Sequence, residues 1–308
     1  MTQTAPPELL DLQQRIVNIF WWGINVPAGL ATWVGWGRDN IVGVAVALAA
    51  RIDALRIFEV EVYVRDWLPL GFYPAFALLV GAVGVRFVRT GAFRFLNGGG
   101  PFAPHIGGPA ALPAHVAGKI GLFVKGNDGT YAVTCAHVLN SAGKGTQVLS
   151  GDEVLGTLFW LSDITTPGEV HKVDVALVKL GVDTRNILPN GAPLPTDIAD
   201  PIEKDVVDLV QGGESQIRAA NASVSIIDDH GTDTKFSGVT IINLLLESGA
   251  SGSLVIEKSS SKPVGIVMAS SQRFDTDDGQ SFPMASVICD LHPILNNLPA
   301  PQGPWSIR

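Results

Sequence analysis

The chain has 308 residues, of which 46% are hydrophobic, and a net charge of −8 at neutral pH. This length accommodates one large domain or two smaller ones, and the acidic balance excludes the basic surface that binding to nucleic acid requires. The 34 glycines and 20 prolines interrupt the apolar segments often, which favours short strands over long helices.

The amino-terminal segment has no basic residue up to Gln14 and contains Glu8 and Asp11. It therefore lacks the positive region of a signal peptide. Leu9 to Phe20 has the spacing of a short amphipathic helix. Four tryptophans follow in a loop-like stretch from 21 to 36; we expect them to pack onto the next domain, although an aromatic patch also marks oligomer interfaces.

A strand pattern begins at Asn40. The stretches I-V-G-V-A-V-A-L and F-E-V-E-V-Y-V-R alternate with period two, and V-G-V-R-F-V-R-T-G follows, so we predict a small sheet that extends to about Phe95. The uncharged run 67–85 has the length of a membrane span, but prolines and glycines divide it. We interpret it as a loop followed by a strand, and a soluble, cytoplasmic protein is the default interpretation; membrane association stays an alternative.

Beyond a Gly- and Pro-rich stretch at 97–109, short apolar runs alternate with turns from Lys119 onward. Asn-Asp-Gly between two such runs signals a hairpin, and four prolines between Pro189 and Pro201 predict an exposed connection. The fold class is therefore mainly β, with two packed antiparallel barrels. We predict two units, a β/α subdomain at 1–110 and a second domain at 111–308. The second domain is predicted to contain a first barrel at about 117–182, a linker at 183–204, a second barrel at about 205–288 and a helix at 285–298.

Three stretches contain the residue types of nucleophilic catalysis. T-C-A-H-V supplies His137, V-D-V-A-L-V-K-L supplies Asp174, and G-A-S-G-S supplies Ser251. Each alone carries a high risk of a false match. Together they resemble, in order and surroundings, the chymotrypsin-like serine peptidases, in which His follows T-A-A, Asp precedes I-A-L and Ser lies in G-D-S-G-G.

The resemblance implies that His137 and Asp174 come from the first barrel and Ser251 from the second. His137 would deprotonate Ser251, and Asp174 would orient the imidazole. The amides of Gly249 and Ser251 would form the oxyanion hole. The substrate would be a peptide or protein, and no cofactor is implied. The sequence contains no metal-ligand spacing such as H-E-x-x-H.

Other candidates fit less well. Ser253 lacks the Gly-x-Ser-Gly frame, His115 precedes the first barrel strand, and His171 lies only three residues before Asp174. The remaining histidines, in turn-like settings, are His105, His230 and His292. Cys135 and Cys289 lie in apolar runs, so we expect core residues rather than a disulfide.

A narrower resemblance extends from Asn40 to the C-terminus. The chain is similar here to the branch that includes the plant narrow-leaf-type serine peptidases and their bacterial relatives. The resemblance lies in I-V-G-V-A-V-A-L and F-E-V-E-V-Y-V-R, in the Gly-rich segment that follows them, and in A-G-K-I-G-L-F-V. This branch implies an intracellular enzyme and allows a homo-oligomer.

Two departures bear on function. Ala250 replaces the acidic residue that, in secreted relatives, pairs with a newly released N-terminal amine, so that mode of activation is not available. Leu245 stands where trypsin-like relatives have an acid, and Met268, Ala269 and Ser270 resemble the strand that lines the substrate pocket. These residues predict a small or apolar side chain before the scissile bond, although a one-residue gap would bring Leu246 or Glu247 into that place.

The sequence thus predicts a serine endopeptidase with an acyl-enzyme intermediate, selective for a protein partner. A catalytically idle binding module on the same fold remains the alternative, because fold does not imply function.

Overall fold

The computed structural model describes residues 5–24, 26, 29–52, 55–66, 68–81, 85–95, 109–110, 118–150, 153–166, 168–202, 205–210, 213–228, 231–244, 246, 249–271, 274–276, 281–282, 285–300 and 303–308. The helices are α1 (Pro7–Trp22), α2 (Ala31–Asn40), α3 (Phe72–Val80), α4 (Ala136–Leu139) and α5 (Leu291–Asn297). The strands of the amino-terminal part are β1 (Ile41–Ile52), β2 (Leu55–Val64), β3 (Val85–Arg89), β4 (Phe93–Phe95) and β5 (Pro109–Ala110).

The remaining strands follow in chain order. They are β6 (Gly118–Lys119), β7 (Leu122–Gly126), β8 (Gly129–Thr134), β9 (Gln147–Ser150), β10 (Glu153–Leu161), β11 (Val170–His171), β12 (Ala176–Leu180), β13 (Val206–Leu209), β14 (Gly213–Ile227), β15 (Asp233–Ile242), β16 (Leu254–Glu257), β17 (Pro263–Ser271), β18 (Phe274–Thr276), β19 (Ser281–Phe282), β20 (Ser286–Asp290) and β21 (Ser306–Ile307).

The first barrel is a six-stranded sheet in the order β21-β7-β8-β12-β10-β9. Its hairpin β7–β8 closes with Gly126 opposite Gly129, where Asn-Asp-Gly predicts a turn. The last strand, β21, returns to pair with β7, so residues near the end of the chain complete the edge of this barrel.

The second barrel is a closed ring. Strands β13, β14, β15, β20, β17 and β16 each pair with the next, and β16 pairs with β13. The mainly β class predicted from the sequence is confirmed, as is a helix near the C-terminus.

The amino-terminal strands are continuous with the second barrel. Strand β14 is long enough to leave the ring, and its middle pairs with β1, with Gly43 opposite Val224. Strands β2 and β3 follow outward. The apolar cluster between this sheet and the helices α1 to α3 contains Ile16, Phe20, Val60, Phe72 and Phe76. The predicted subdomain at 1–110 therefore shares a hydrogen-bonded sheet with the second barrel.

The tryptophan-rich stretch is more helical than its sequence predicts. Residues 31–40 form α2, in which the Trp36 ring lies 4.5 Å from that of Phe72. The Trp21 indole donates a hydrogen bond to the carbonyl of Ile41. The Lys235 ammonium of β15 lies 4.6 Å from the Trp22 ring, a cation–π contact with the second barrel.

Two other segments differ from prediction. The helix predicted at 285–298 is strand β20 up to Asp290 and helix only from Leu291. All five residues of β20 are buried, and periodicity alone does not separate such an apolar run from a buried helix. In the run 67–85, helix α3 stands where a strand was predicted, and its apolar face packs on α1. Within the described part of the chain, no helix combines the length and apolarity that a bilayer crossing requires.

A buried ion pair joins the amino-terminal sheet to the barrel. The Arg218 guanidinium of β14 binds the fully buried Glu61 carboxylate of β2. The Tyr63 hydroxyl donates to the same carboxylate at 2.8 Å, and burial together with that carboxylate raises the pKa of Tyr63 well above its usual range.

Replacing Glu61 by Gln should destabilise the fold by about 3 kcal/mol, because it leaves a largely buried guanidinium without its counter-charge. Urea denaturation measures the effect. Glu214→Gln is the matched control, since the Glu214–Lys258 pair is half exposed, with side-chain exposures of 52% and 50%, and should contribute little to stability. Equal losses in the two variants would contradict the role given to Glu61.

Asp290 is buried at the start of α5, and its Oδ1 has no hydrogen-bond partner among the described residues. Burial, with a contribution from the Asp200 carboxylate, raises the pKa of Asp290 to about 7. Because the unfolded-state pKa is about 4, the folded chain binds more protons between about pH 4 and pH 7, and this group destabilises the fold as the pH rises through that window.

Asp290→Asn should therefore stabilise the protein at about pH 8 relative to the wild type, by up to about 4 kcal/mol, and change stability little at about pH 4. Thermal unfolding at the two pH values measures this. A gain of the same size at both pH values would contradict the assignment.

Candidate active site

His137 is positioned where the first barrel's β8 ends. The strand ends at Thr134, and the single-turn helix α4 carries His137 immediately afterwards. The backbone N–H of His137 donates to Asp174 Oδ1 at 3.0 Å. The histidine backbone is thus fixed by the same carboxylate that its ring contacts.

Asp174 lies just before β12, which pairs with β8. The adjacent residue, Val175, is bonded to Ser162, which follows β10. Its backbone N–H donates to the Ser162 hydroxyl at 3.0 Å, and its carbonyl accepts from the Ser162 N–H at 2.8 Å. Asp174 is fully buried. Pairing of β8 with β12 brings the ends of these two strands to one edge of the first barrel, which places Asp174 beside His137.

Ser251 lies in a turn of the second barrel between Leu246 and strand β16. Among the residues of the turn that the structure describes, Gly249 with φ of 92° and Gly252 with φ of 90° lie in the left-handed region. Only glycine adopts this conformation without strain. The short polar stretch that resembles a linker in the sequence is therefore a tight turn.

The three side chains form one hydrogen-bonded chain. His137 Nδ1 lies 2.5 Å from Asp174 Oδ2, and His137 Nε2 lies 2.8 Å from Ser251 Oγ. Because a carboxylate oxygen only accepts, Nδ1 carries the proton, and Nε2 is left to accept from the Ser251 hydroxyl. A second acceptor, the Met268 carbonyl, is farther from Ser251 Oγ at 3.3 Å. This geometry lets the imidazole take the serine proton.

Strand β6 pairs with β5 and is tied to β8 of the first barrel by Thr134, and it holds the serine turn directly. The Lys119 N–H donates to the Ser251 carbonyl at 2.7 Å, and the Thr134 hydroxyl donates to the Lys119 carbonyl at 2.7 Å. A Cβ on Gly252 would lie 2.1 Å from the Lys119 carbonyl oxygen, and one on Gly118 would lie 2.7 Å from the Ser251 carbonyl oxygen. The two barrels therefore approach as closely as their backbones allow.

Gly118, Lys119 and Thr134 are functional neighbours that the sequence patterns did not single out. The repeated glycines of G-K-I-G offered a signal, because Gly121 also lies against the turn. A Cβ on it would lie 2.8 Å from the Gly252 carbonyl oxygen. Glycine in a strand often marks such a close backbone approach.

Ala250 packs against an apolar cluster. The cluster contains Val207, Ile217, Leu246 and Val255. The Ala250 carbonyl accepts a hydrogen bond from the Ser253 N–H at 2.9 Å. An ionised carboxylate at this position would need a buried counter-charge. Alanine requires none, so the turn is anchored by apolar contact at this position.

The predicted pocket residues are only partly described. Leu245 and Glu247 lie outside the described residues. Met268, Ala269 and Ser270 are buried in β17, and Met268 contacts Ser251 through its carbonyl. The Ser270 hydroxyl lies 3.1 Å from that of Ser286. Met268 is therefore adjacent to the serine, and Ala269 and Ser270 continue the strand away from it.

The other described candidate residues are not part of the hydrogen-bonded chain from Asp174 to Ser251. The His171 ring packs against Phe236, and His292 Nε2 lies 3.3 Å from Asp200. Ser253 donates its backbone N–H within the turn. His105, His115 and His230 lie outside the described residues.

Cys135 lies under the site. Ligand atoms of Cys135, His137 and Asp174 lie within 4.8 Å of one another. Burial raises the pKa of the Cys135 thiol well above its usual range, which favours the thiol over the thiolate that metals bind. The thiol donates to the Val267 carbonyl at 3.1 Å, and Cys289 is also a free, buried cysteine.

No family model and no curated protein matches the chain. Several solved structures match the chain in fold. A glutamic-acid-specific serine protease is 14% identical with a TM-score of 0.50, covering 67% of this chain and 100% of its own. Nocardiopsis protease is 18% identical (TM-score 0.46, 67% and 100% covered), and Cellulomonas bogoriensis chymotrypsin is 19% identical (TM-score 0.44, 63% and 95% covered). The chain has the chymotrypsin-like fold.

Gly252→Ala should destabilise the protein by at least about 3 kcal/mol, because a new Cβ would overlap the Lys119 carbonyl in addition to the left-handed strain of about 1–2 kcal/mol. Gly168→Ala is the control, since Gly168 has φ of 81° and nothing lies within 4 Å of the place that its Cβ would take. Chemical denaturation of both variants separates overlap from strain, and equal losses would contradict the close approach of the two barrels.

Proposed function

We propose that this protein is a serine endopeptidase that hydrolyses peptide bonds through a Ser251–His137–Asp174 triad and an acyl-enzyme intermediate. The continuous hydrogen-bonded chain from Asp174 through His137 to Ser251 carries the proposal. A serine hydroxyl is a weak nucleophile until a base takes its proton. The imidazole at 2.8 Å supplies that base, and the buried carboxylate stabilises the imidazolium that results.

In the reaction, Ser251 Oγ attacks the scissile carbonyl while His137 Nε2 accepts the proton. His137 then protonates the leaving amine, and the acyl group stays on Ser251. Water, deprotonated by His137, releases the acyl group and restores the serine. The amides of Gly249 and Ser251 bind the oxyanion in both halves, and the left-handed backbone of Gly249 supports this role.

The turn is ordered without a released N-terminal amine. The hydrogen bond from Lys119 to the Ser251 carbonyl and the apolar contacts of Ala250 support this view. The enzyme therefore needs no trimming of its N-terminus to form a salt bridge at this site. Constraints on the access of a substrate to Ser251 are separate from this ordering of the turn.

The finer assignment is to the branch of plant narrow-leaf-type serine peptidases and their bacterial relatives. The two alternating stretches of this resemblance form β1 and β2, the strands that extend the second barrel. With this branch we propose an intracellular, cytoplasmic enzyme that acts on one protein partner and forms a homo-oligomer. Two buried cysteines that remain free support a reducing compartment.

A fluorophosphonate should phosphonylate Ser251, with a mass increase of one adduct on the intact protein. Ser251→Ala should abolish the adduct. Ser253→Ala, in the same turn, is the matched control and should retain it, because the Ser253 backbone bonds to Ala250 and Val267 do not need the hydroxyl. Folded wild-type protein that never forms the adduct would support the idle binding module instead.

Asp174→Asn should reduce the rate of phosphonylation by about 10⁴-fold, because an amide no longer holds the Nδ1-protonated tautomer that leaves Nε2 free to accept. The Ser251 reaction rate at several pH values measures this. A loss below about tenfold, with the fold intact by circular dichroism, would contradict the role of Asp174.

A further inference from the structure

Strand β17 passes Ser251, and three segments lie one after another along one of its two edges. On this side of β17, β16 pairs with Pro263 to Ile266. The serine turn comes next, with Gly252 donating to the Val267 carbonyl at 2.7 Å. Strand β4 then pairs antiparallel with Ala269, Ser270 and Ser271. The opposite side of β17 is paired with β20 throughout this region.

An extended peptide cleaved by Ser251 would need this same side. Peptides commonly bind by adding a strand to a sheet edge, and the described edge nearest to Ser251 Oγ is that of β17, whose Met268 carbonyl lies 3.3 Å away. The residues that precede a scissile bond on that edge would lie opposite Met268 and then Ala269. Strand β4 begins its pairing at Ala269.

Strand β4 also has the direction of such a peptide. Phe93 pairs with Ser271, Arg94 with Ser270 and Phe95 with Ala269, so the chain runs from amino to carboxyl end toward the serine. The residues before a scissile bond approach the nucleophile in the same sense. β4 is thus antiparallel to β17 in the register and polarity of a bound peptide.

We infer that β4 is an intramolecular occupant of the substrate edge: it lies where the residues two and more positions before the scissile bond would pair. In this conformation the proposed peptidase accepts the scissile residue and gains no binding energy from a longer strand before it. This inference rests on the proposed function of Ser251.

The way in which β4 is held fits an occupied edge. Besides its pairing with β17, it pairs in parallel with β14 through Ile226 and Ile227. The buried Phe93 ring contacts that of Tyr63. The occupant is therefore built into the barrel, and its departure requires loss of both pairings.

The chain as it exists offers the first test. Ser251 phosphonylation is compared between a single-residue leucine phosphonate and an Ala-Ala-Leu phosphonate with the same leaving groups. Added residues should raise the second-order rate constant of the wild type less than about threefold, because the edge that would bind them is filled. A gain of about tenfold or more from the longer reagent would overturn the inference, since it would show an open edge.

The second test loosens β4. Arg94 is exposed at the centre of the strand, and Arg94→Pro removes its N–H and disfavours strand pairing. The variant should gain at least about tenfold in the ratio of long to short reagent rates, because the freed edge can pair with the longer reagent. Arg94→Ala removes the same side chain but keeps the N–H, and it should retain the wild-type ratio.

The outcomes are distinguishable. Arg94→Pro that reacts with the short reagent yet shows no gain with the long one would overturn the inference while leaving the proposed function intact. Failure of both reagents and of fluorophosphonate to modify folded wild type would overturn the proposed function itself. If Arg94→Pro does not fold by circular dichroism, the wild-type comparison of reagent lengths still decides the question.

Discussion

The arrangement of the site depends on the backbone contact between β6, which Thr134 ties to the first barrel, and the serine turn of the second barrel. Lys119 donates to the Ser251 carbonyl at 2.7 Å, and the approach is close enough that neither Gly118 nor Gly252 has room for a Cβ. His137 and Asp174 are fixed to the first barrel by β8 and β12. Without this contact the serine would have no defined distance from its base.

The same contact explains why the turn can dispense with an ionic anchor. Apolar packing of Ala250 and the hydrogen bond from Lys119 to the Ser251 carbonyl both act on the serine turn. Each constrains the backbone without a charge that burial would penalise. A turn fixed in this way does not depend on a group released by cleavage.

The sequence predicted the mainly β class and named the three residues that the structure brings together, because His137, Asp174 and Ser251 each lie in a short local pattern. It did not predict helix α3 or the strand β20, since uninterrupted apolar runs fit either structure when both faces are buried. Gly118 matters because it approaches Ser251 of the second barrel, and Thr134 because its hydroxyl donates to the Lys119 carbonyl. No local pattern encodes such contacts.

The position of β4 shows most clearly what local patterns leave out. In sequence, F-R-F is a short alternating run at the end of an amino-terminal sheet. In the fold it lies between β14 and β17, next to β1 along β14 and beyond the serine turn and β16 along β17. A strand edge beside a nucleophile is where a substrate strand would add. Because β4 already pairs with β17 there, the inferred substrate edge is occupied by the same extension that pairs with the second barrel.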